Sequence, residues 1–325
     1  MNNEVISIIG GKGFLGSSIA DLYDSKNTNV RFCDLANLNE DNFYVDVEDP
    51  NTLDVLKGSS VIINLAAMHR DDVKPISRYD EVNIDGAKNV CDAAERFGIK
   101  KIIFTSSVAI YGFAPINTDE KGEPNYFNDY GRTKFLAEQV YKNWQSKDSQ
   151  NRSLIIIRPT VIFGKGNRGN VYNLFNSIYR KRFVMIGSGT NTKSMAYVEN
   201  VAAFVKFSLS FGNGLHVYNY IDKPDFNMNK LVDLCRFIIF GKKGVGVRIP
   251  KFLGFIFGYL ADFFSFITSK NIPISSIRVK KFTSSSQFTS SIDKTSFTPP
   301  YSLEEGLIKT LNYEFNSKFK DVEKN

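Results

Sequence analysis

Tyr130 and Lys134 stand four residues apart in the run Tyr130-Gly131-Arg132-Thr133-Lys134. On a helix that spacing puts both side chains on one face. A free phenol has a pKa of about 10 and is a poor base at neutral pH. An ammonium beside it favours the phenolate, and the same ammonium can donate hydrogen bonds to a ribose. Such a pair can take a proton from a sugar hydroxyl while a nicotinamide takes the hydride. The spacing by itself discriminates poorly, because tyrosine and lysine are common and a chance pair is usually a solvated helix face. The elements around the pair decide.

Val5 to Ile9 is an apolar run of strand length, followed at once by Gly10-Gly11-Lys12-Gly13-Phe14-Leu15-Gly16 and a helical pattern through Ile19, Ala20, Leu22 and Tyr23. Gly10 suits the tight turn, Gly13 the close approach of backbone to a pyrophosphate, and Gly16 close helix–strand packing. The pyrophosphate then meets the N–H groups of Phe14 and Leu15 at the start of the helix. Val30 to Cys33 reads as the second strand, ending at Asp34. An acid there accepts from a ribose 2′-hydroxyl and repels a 2′-phosphate, which predicts NAD over NADP. Asp46 and Val47 are placed near the adenine. Val61 to Asn64 is another buried strand that runs into Leu65, Ala66 and Ala67, small enough for close packing on a cofactor. His69, in the polar loop beyond, carries no partner that assigns it a role. Lys101 to Phe104 precedes the hydroxyl cluster Thr105-Ser106-Ser107, and Leu154 to Ile157 precedes Arg158 and Pro159. Strand ends of this kind hold ligands in open α/β sheets. Ser107, Tyr130 and Lys134 therefore fall in the order strand, loop, helix within one Rossmann-like frame. The predicted fold class is α/β, a doubly wound parallel sheet with a smaller C-terminal substrate domain.

At 325 residues the chain can bury one large core or two modest ones. Cys33, Cys91 and Cys235 are scattered without C-x-x-C or a Cys/His cluster, so neither a disulfide framework nor a metal site is expected. The chain enters its first strand without a signal-peptide pattern, which predicts a cytoplasmic protein. Its net charge of +7 comes in short clusters, Arg180 to Arg182, Lys242 to Lys251, and Arg278 with Lys280 and Lys281. No nucleic-acid motif accompanies them, leaving a solvated surface, a diphosphate ligand or an anionic membrane surface as readings.

Taken together, the glycine turn, Ser107 with Tyr111-Gly112, and Tyr130 with Lys134 resemble the extended short-chain dehydrogenase/reductases, the nucleotide-sugar epimerase and dehydratase group. The likeness covers essentially the whole chain. Narrower runs, among them Ala67 to Val73, Arg158 to Gly164, Asn167 to Leu174, Lys193 to Val198 and Arg278 to Phe282, are similar to a branch acting on polyprenyl-diphosphate-linked amino sugars. The resemblance implies reversible inversion at C4 through a 4-keto sugar with NAD bound throughout. Tyr130 would be the base, Ser107 the O4 ligand, and Lys134 the residue that lowers the tyrosine pKa and binds the nicotinamide ribose. It also implies a substrate diphosphate held by Asn170, Lys193 and Arg278, and a homodimer paired through helices near Tyr130. Three departures sharpen the expectation. Lys193 stands where many relatives carry arginine, and a lysine lacks the bidentate fork. Val161 replaces the asparagine of several soluble UDP-hexose epimerases. Val108-Ala109 replaces the Asp-Glu pair of 4,6-dehydratases, which removes the catalysts of water elimination. A soluble UDP-N-acetylhexosamine 4-epimerase, a 4-ketoreductase and a non-catalytic NAD-binding protein are the alternatives.

The implied domains are 1–163 plus 195–222 for NAD, and 164–194 plus 223–325 for substrate. Within the latter, 249–268 is apolar except for Lys251 and Asp262. It is too short and too charged to predict a membrane span. Two readings stay open, a buried helix of the substrate domain and an interfacial element at the inner face of the cell membrane.

Overall fold

Short β-branched runs bounded by glycine and polar residues form the strands, as their length and composition require. The computed structural model describes residues 4–23, 29–35, 42–70, 73–268 and 275–316, so Asp71 and Asp72 of the polar loop lie outside the described residues. Seven strands make the main sheet: β1 (Ile6–Ile9), β2 (Val30–Asp34), β3 (Asn42–Tyr44), β4 (Val61–Asn64), β5 (Lys101–Thr105), β6 (Ser153–Pro159) and β7 (Gly214–Tyr220). Their order is β7-β6-β5-β4-β1-β2-β3, and every pairing is parallel.

Parallel strands need crossover helices, which cover both faces of the sheet and demand apolar residues on both. β1, β4 and β6 are buried along their whole length. The alternation of period two sends Ile9, Ile62, Ile102 and Ile156 to one face, against Val90, Ala94 and Ala137 of two helices. Ile8, Ile63, Ile103 and Ile155 go to the other face, against Ile19, Val201 and Phe204. Strand order reverses between β1 and β4, the switch point at which such sheets bind ligands. The register pairs Ile9 with both Cys33 and Asn64, so the segments leaving β1, β2 and β4 start at one level.

The chain divides into two compact units. The first holds Met1–Ile162, Ala196–Ile221 and Phe288–Tyr301. The last of these segments differs from the sequence reading, which kept all of 223–325 in the substrate domain. Its apolar residues explain the return: Phe288 packs with Ile110 and Tyr111, while Ile292 and Phe297 pack in the core that contains Phe204. Glu120 Oε1 fastens it, accepting from Ser291 N and from Asn219 N, each at 2.9 Å.

The second unit holds Phe163–Met195, Asp222–Gln287 and Ser302–Asn325. Strand Asp222–Asn227 runs antiparallel to the strand at 192–195, with Phe226 opposite Lys193. Helix Leu303–Phe315 opens on a capping box of Ser302 and Glu305. Helix Lys251–Thr268 turns its glycines inward and leaves its large apolar side chains exposed, contrary to the buried-helix reading. Among the described residues no helix is long and apolar enough to cross a membrane.

Candidate active site

The helix Asp129–Ser146 carries Tyr130 and Lys134, and its first turn is set from both ends. The Asn128 side chain caps it, accepting from Gly131 N at 3.0 Å. At Gly131 an added Cβ would stand 2.5 Å from the Ala109 carbonyl oxygen. Only a residue without a side chain lets the helix start directly against the turn that follows Ser107. Ser107 itself is extended, and its Oγ caps that turn by accepting from Ala109 N at 3.1 Å. Holding the oxygen as an acceptor leaves the hydroxyl hydrogen available to donate.

Lys134 is buried, with Nζ 4.2 Å from the centroid of the Phe104 ring at the end of β5. Burial draws its ammonium down to about 7, while the charge of Glu138, one turn along, works in the opposite direction. Glu138 is fully buried and takes a bidentate grip from Arg158, whose Nε and Nη2 donate at 2.8 and 2.6 Å. Arg158 Nη1 also donates to Tyr111 Oη at 2.6 Å and to the Glu120 carbonyl at 3.1 Å. Tyr111 passes the chain on to Asn219 Oδ1 at 2.9 Å. Four of the five guanidinium hydrogens are thus accounted for by the protein. The Arg158 side chain thus has a structural use, because a buried carboxylate must be paired.

The glycine loop has the shape that the sequence implies. Gly10 has φ +78°, and a Cβ there would lie 3.0 Å from Ala66 N. A Cβ on Gly16 would lie 2.4 Å from the Gly10 carbonyl oxygen. The first helical bond of Phe14–Ala20 runs from Ser17 N to Gly13 O at 2.9 Å, so the N–H groups ahead of it have no acceptor inside the helix. Asp34 turns onto the loop, with Oδ2 accepting from Lys12 N and Oδ1 from Leu35 N, both at 2.8 Å. Asp46 Oδ1 accepts from Glu48 N at 2.9 Å, and Val47 packs where helix Gly86–Arg96 begins without a side chain at Gly86. Leu65 and Ala66 continue β4 beside Gly10. A cradle that any Cβ would fill, unclaimed backbone donors and an acid at the end of β2 fit an adenine dinucleotide with a free ribose diol.

Four residues that the sequence reading passed over hold these pieces in place. Asn64 Nδ2 donates to Tyr141 Oη at 2.6 Å, and its Oδ1 accepts from Ala66 N at 3.0 Å. Asn83 donates to Thr133 Oγ1 at 2.9 Å and binds both backbone groups of Met68. With Glu138 they tie the Tyr130 helix to the ends of β4 and β6. The available signals were Asn64, a polar residue closing an apolar strand, and the stripe Tyr130, Lys134, Glu138 and Tyr141 on one helix face.

Asn170, Lys193 and Arg278 all lie in the second unit. Asn170 is the exposed first residue of helix Asn170–Tyr179, and Arg278 is exposed on helix Ser276–Thr283. Lys193 has a structural use within the unit. Its Nζ donates to the carbonyls of Lys281 and Ser284 at 2.7 and 2.6 Å, closing the C-terminal end of the Arg278 helix. Burial brings its ammonium down to about 8.

The profile described as the NAD dependent epimerase/dehydratase family matches residues 6–220. The chain is 45% identical, over 99% of its length and 98% of the relative's, to the N-acetyl-alpha-D-glucosaminyl-diphospho-ditrans,octacis-undecaprenol 4-epimerase of Escherichia coli O157:H7. Among solved structures it resembles MoeE5 in complex with UDP-glucuronic acid and NAD, at TM-score 0.74 and 20% identity over 95% of this chain and 98% of that one. It also resembles the UDP-N-acetylglucosamine 4-epimerase of Methanobrevibacter ruminantium M1, at TM-score 0.73 and 23% identity over 96% and 98%. At such identities the solved structures speak for the fold.

Proposed function

The chain belongs to the NAD dependent epimerase/dehydratase family, and from that premise we propose that it is a 4-epimerase of N-acetylglucosaminyl-diphospho-undecaprenol. It interconverts that lipid-linked sugar with its N-acetylgalactosaminyl form, for O-antigen or other surface polysaccharide assembly. The observation that carries the reading is the full-length likeness to the Escherichia coli O157:H7 4-epimerase.

NAD is the cofactor, and when bound it supplies a reversible acceptor for the hydrogen on C4. Tyr130 takes the O4 proton, and Ser107 donates to O4 to steady the charge that develops there. Lys134, stripped of water, gains most from an anion nearby, so its positive charge and a Tyr130 phenolate favour one another. The 4-keto sugar turns over in the site and is reduced on its other face. The proton then returns from Tyr130 to O4, and net redox is zero. We assign the substrate diphosphate to Asn170 and Arg278, with the third hydrogen of the Lys193 ammonium as a further donor. The enzyme works at the cytoplasmic face of the cell membrane, where such a substrate is handled, and as a homodimer paired through helices near Tyr130.

The test is product analysis of purified protein incubated with undecaprenyl-diphosphate-GlcNAc in detergent, beside UDP-GlcNAc, without added NADH. Both C4 isomers of the lipid-linked sugar are expected. Turnover of the UDP-sugar alone would remove the lipid assignment, and stoichiometric consumption of added NADH would make the enzyme a ketoreductase.

A further inference from the structure

Helix Lys251–Thr268 is amphipathic in the reverse of the usual sense. Its protein-facing seam is made of glycine: a Cβ on Gly254 would meet Ile186 Cγ2 at 2.5 Å, and one on Gly258 would meet the Ser276 backbone at 2.9 Å. Its one acid, Asp262, is turned onto the neighbouring helix, where Oδ2 accepts from Ser276 N at 3.0 Å. The opposite face carries Phe252, Phe257, Tyr259, Phe263, Phe264 and Ile267, each 54–63% exposed. Beyond Lys251 it bears no charged side chain. A helix whose role was to complete a soluble core would bury those rings and show water its small residues.

The net charge of the chain falls in the stretch of sequence that contains this helix. From Gly241 to Ser286 the sequence has eight Lys or Arg and the single acid Asp262, an excess of seven; the other 33 Lys and Arg are matched by 33 Asp and Glu. The whole formal charge of +7 therefore resides in this one segment. Lys242, Lys243, Arg248, Lys251, Arg278 and Lys280 are all exposed. A second copy of the chain docking through this segment would bring two such basic stretches together. An anionic surface would neutralise them.

We propose that helix Lys251–Thr268 lies in the plane of an anionic phospholipid bilayer, its aromatic face among the upper acyl chains and the surrounding cations at the level of the phosphates. Interfacial helices combine a polar flank rich in Lys and Arg with Phe, Trp and Leu on the other face, and lie a few ångströms into the headgroup boundary. Tyr259 fits that boundary, since its ring is apolar and its hydroxyl can remain in water. The paired helix Ser276–Thr283 sets Arg278, one of the residues assigned to the substrate diphosphate, on the element packed against this helix. The docking does not depend on the proposed chemistry, but it would bring the enzyme to a substrate that cannot leave the membrane.

Flotation of the full chain with vesicles tests this, using phosphatidylcholine alone and phosphatidylcholine mixed with phosphatidylglycerol. The protein is expected to float with the mixed vesicles and to be released by salt. Phe257→Gln with Phe264→Gln is expected to abolish flotation. Lys242→Gln with Lys243→Gln is expected to weaken binding about thirtyfold. All variants should retain NAD binding, because the altered side chains point outward from the second unit. Wild-type protein that stays with the buffer, or a Phe257→Gln/Phe264→Gln variant that floats as well as wild type, overturns the proposal. So does a dimer in solution that this variant splits, since the face would then belong to a second copy. Turnover of a short-chain, water-soluble sugar diphosphate in the same samples reads the chemistry separately. Active protein that does not float refutes the docking alone, and floating protein without turnover refutes the epimerase alone.

Discussion

Tyr130 is the second residue of its helix, where the positive end of the helix dipole favours negative charge, and in the mechanism we propose the Lys134 ammonium adds to that effect. Asp129 on the same turn accepts from Arg132 Nε at 3.0 Å, an arginine it shares with Asp80. Ser107 Oγ is placed by the backbone N–H from which it accepts, and its hydrogen remains available to donate. Two substitutions separate these roles. Tyr130→Phe removes the oxygen to which we assign the O4 proton and should lower turnover by about 10²–10⁴-fold. Dinucleotide binding, followed by isothermal titration, should be unchanged. Ser107→Ala removes the hydrogen bond that we assign to O4, which strengthens as charge develops there, and should lower kcat by about 10²-fold with little effect on KM. A Tyr130→Phe enzyme within tenfold of wild type would take proton transfer away from this residue.

The helix Asp129–Ser146 acts as a unit: Tyr130 and Lys134, to which we assign proton transfer and charge, share one face with Glu138, gripping Arg158, and Tyr141, reaching Ala66 through Asn64. Part of this was legible in the sequence. The i, i+4 pair and the glycines of the first turn are local spacings, and local spacings survive folding. The partners of Arg158 were not, because a strand residue and a helix residue twenty positions apart meet only once β6 and this helix have docked. The same holds for Lys193, whose donation to the carbonyls of Lys281 and Ser284 joins residues 88 and 91 positions apart. A prediction follows for Lys134. Its folded pKa of about 7 lies below the unfolded value of about 10.4. Below pH 7 both states are charged and the native state bears the full burial penalty of the ammonium. Between pH 7 and about 10 the unfolded state binds more protons, so this group makes the fold more stable as pH rises. Lys134→Met removes the penalty. In NAD-free protein its Tm should exceed that of wild type most at pH 7 and below, and the difference should shrink towards pH 10. A difference that grows with pH would mean that Lys134 is stabilised as a cation by the fold.

For the whole molecule, the chain that completes the first unit is not the chain that begins it. The family profile ends at residue 220, yet Phe288–Tyr301 supplies Phe288, Ile292 and Phe297 to cores that the first 221 residues leave open. The same return covers polar groups that burial makes expensive to leave alone. Asn219 is fully buried and donates from Nδ2 to the Thr289 carbonyl at 3.0 Å, and Glu120 accepts from Ser291 N. Nothing local in the sequence marks this segment, whose serines and threonines read as a loop; only the closing of a distant core gives it a place. A fragment of residues 1–221 therefore loses three large apolar side chains and strands buried donors and acceptors. Each apolar loss amounts to about 2–5 kcal/mol, and each orphaned polar group adds about 1–3 kcal/mol. Against a typical stability of about 5–15 kcal/mol, the sum is enough to unfold the unit. The fragment should show no cooperative melt by circular dichroism and no NAD binding. Joining residues 288–301 to it through a flexible linker should restore both. A fragment of 1–221 that melts cooperatively and binds NAD would show that the returning segment decorates a unit already complete without it.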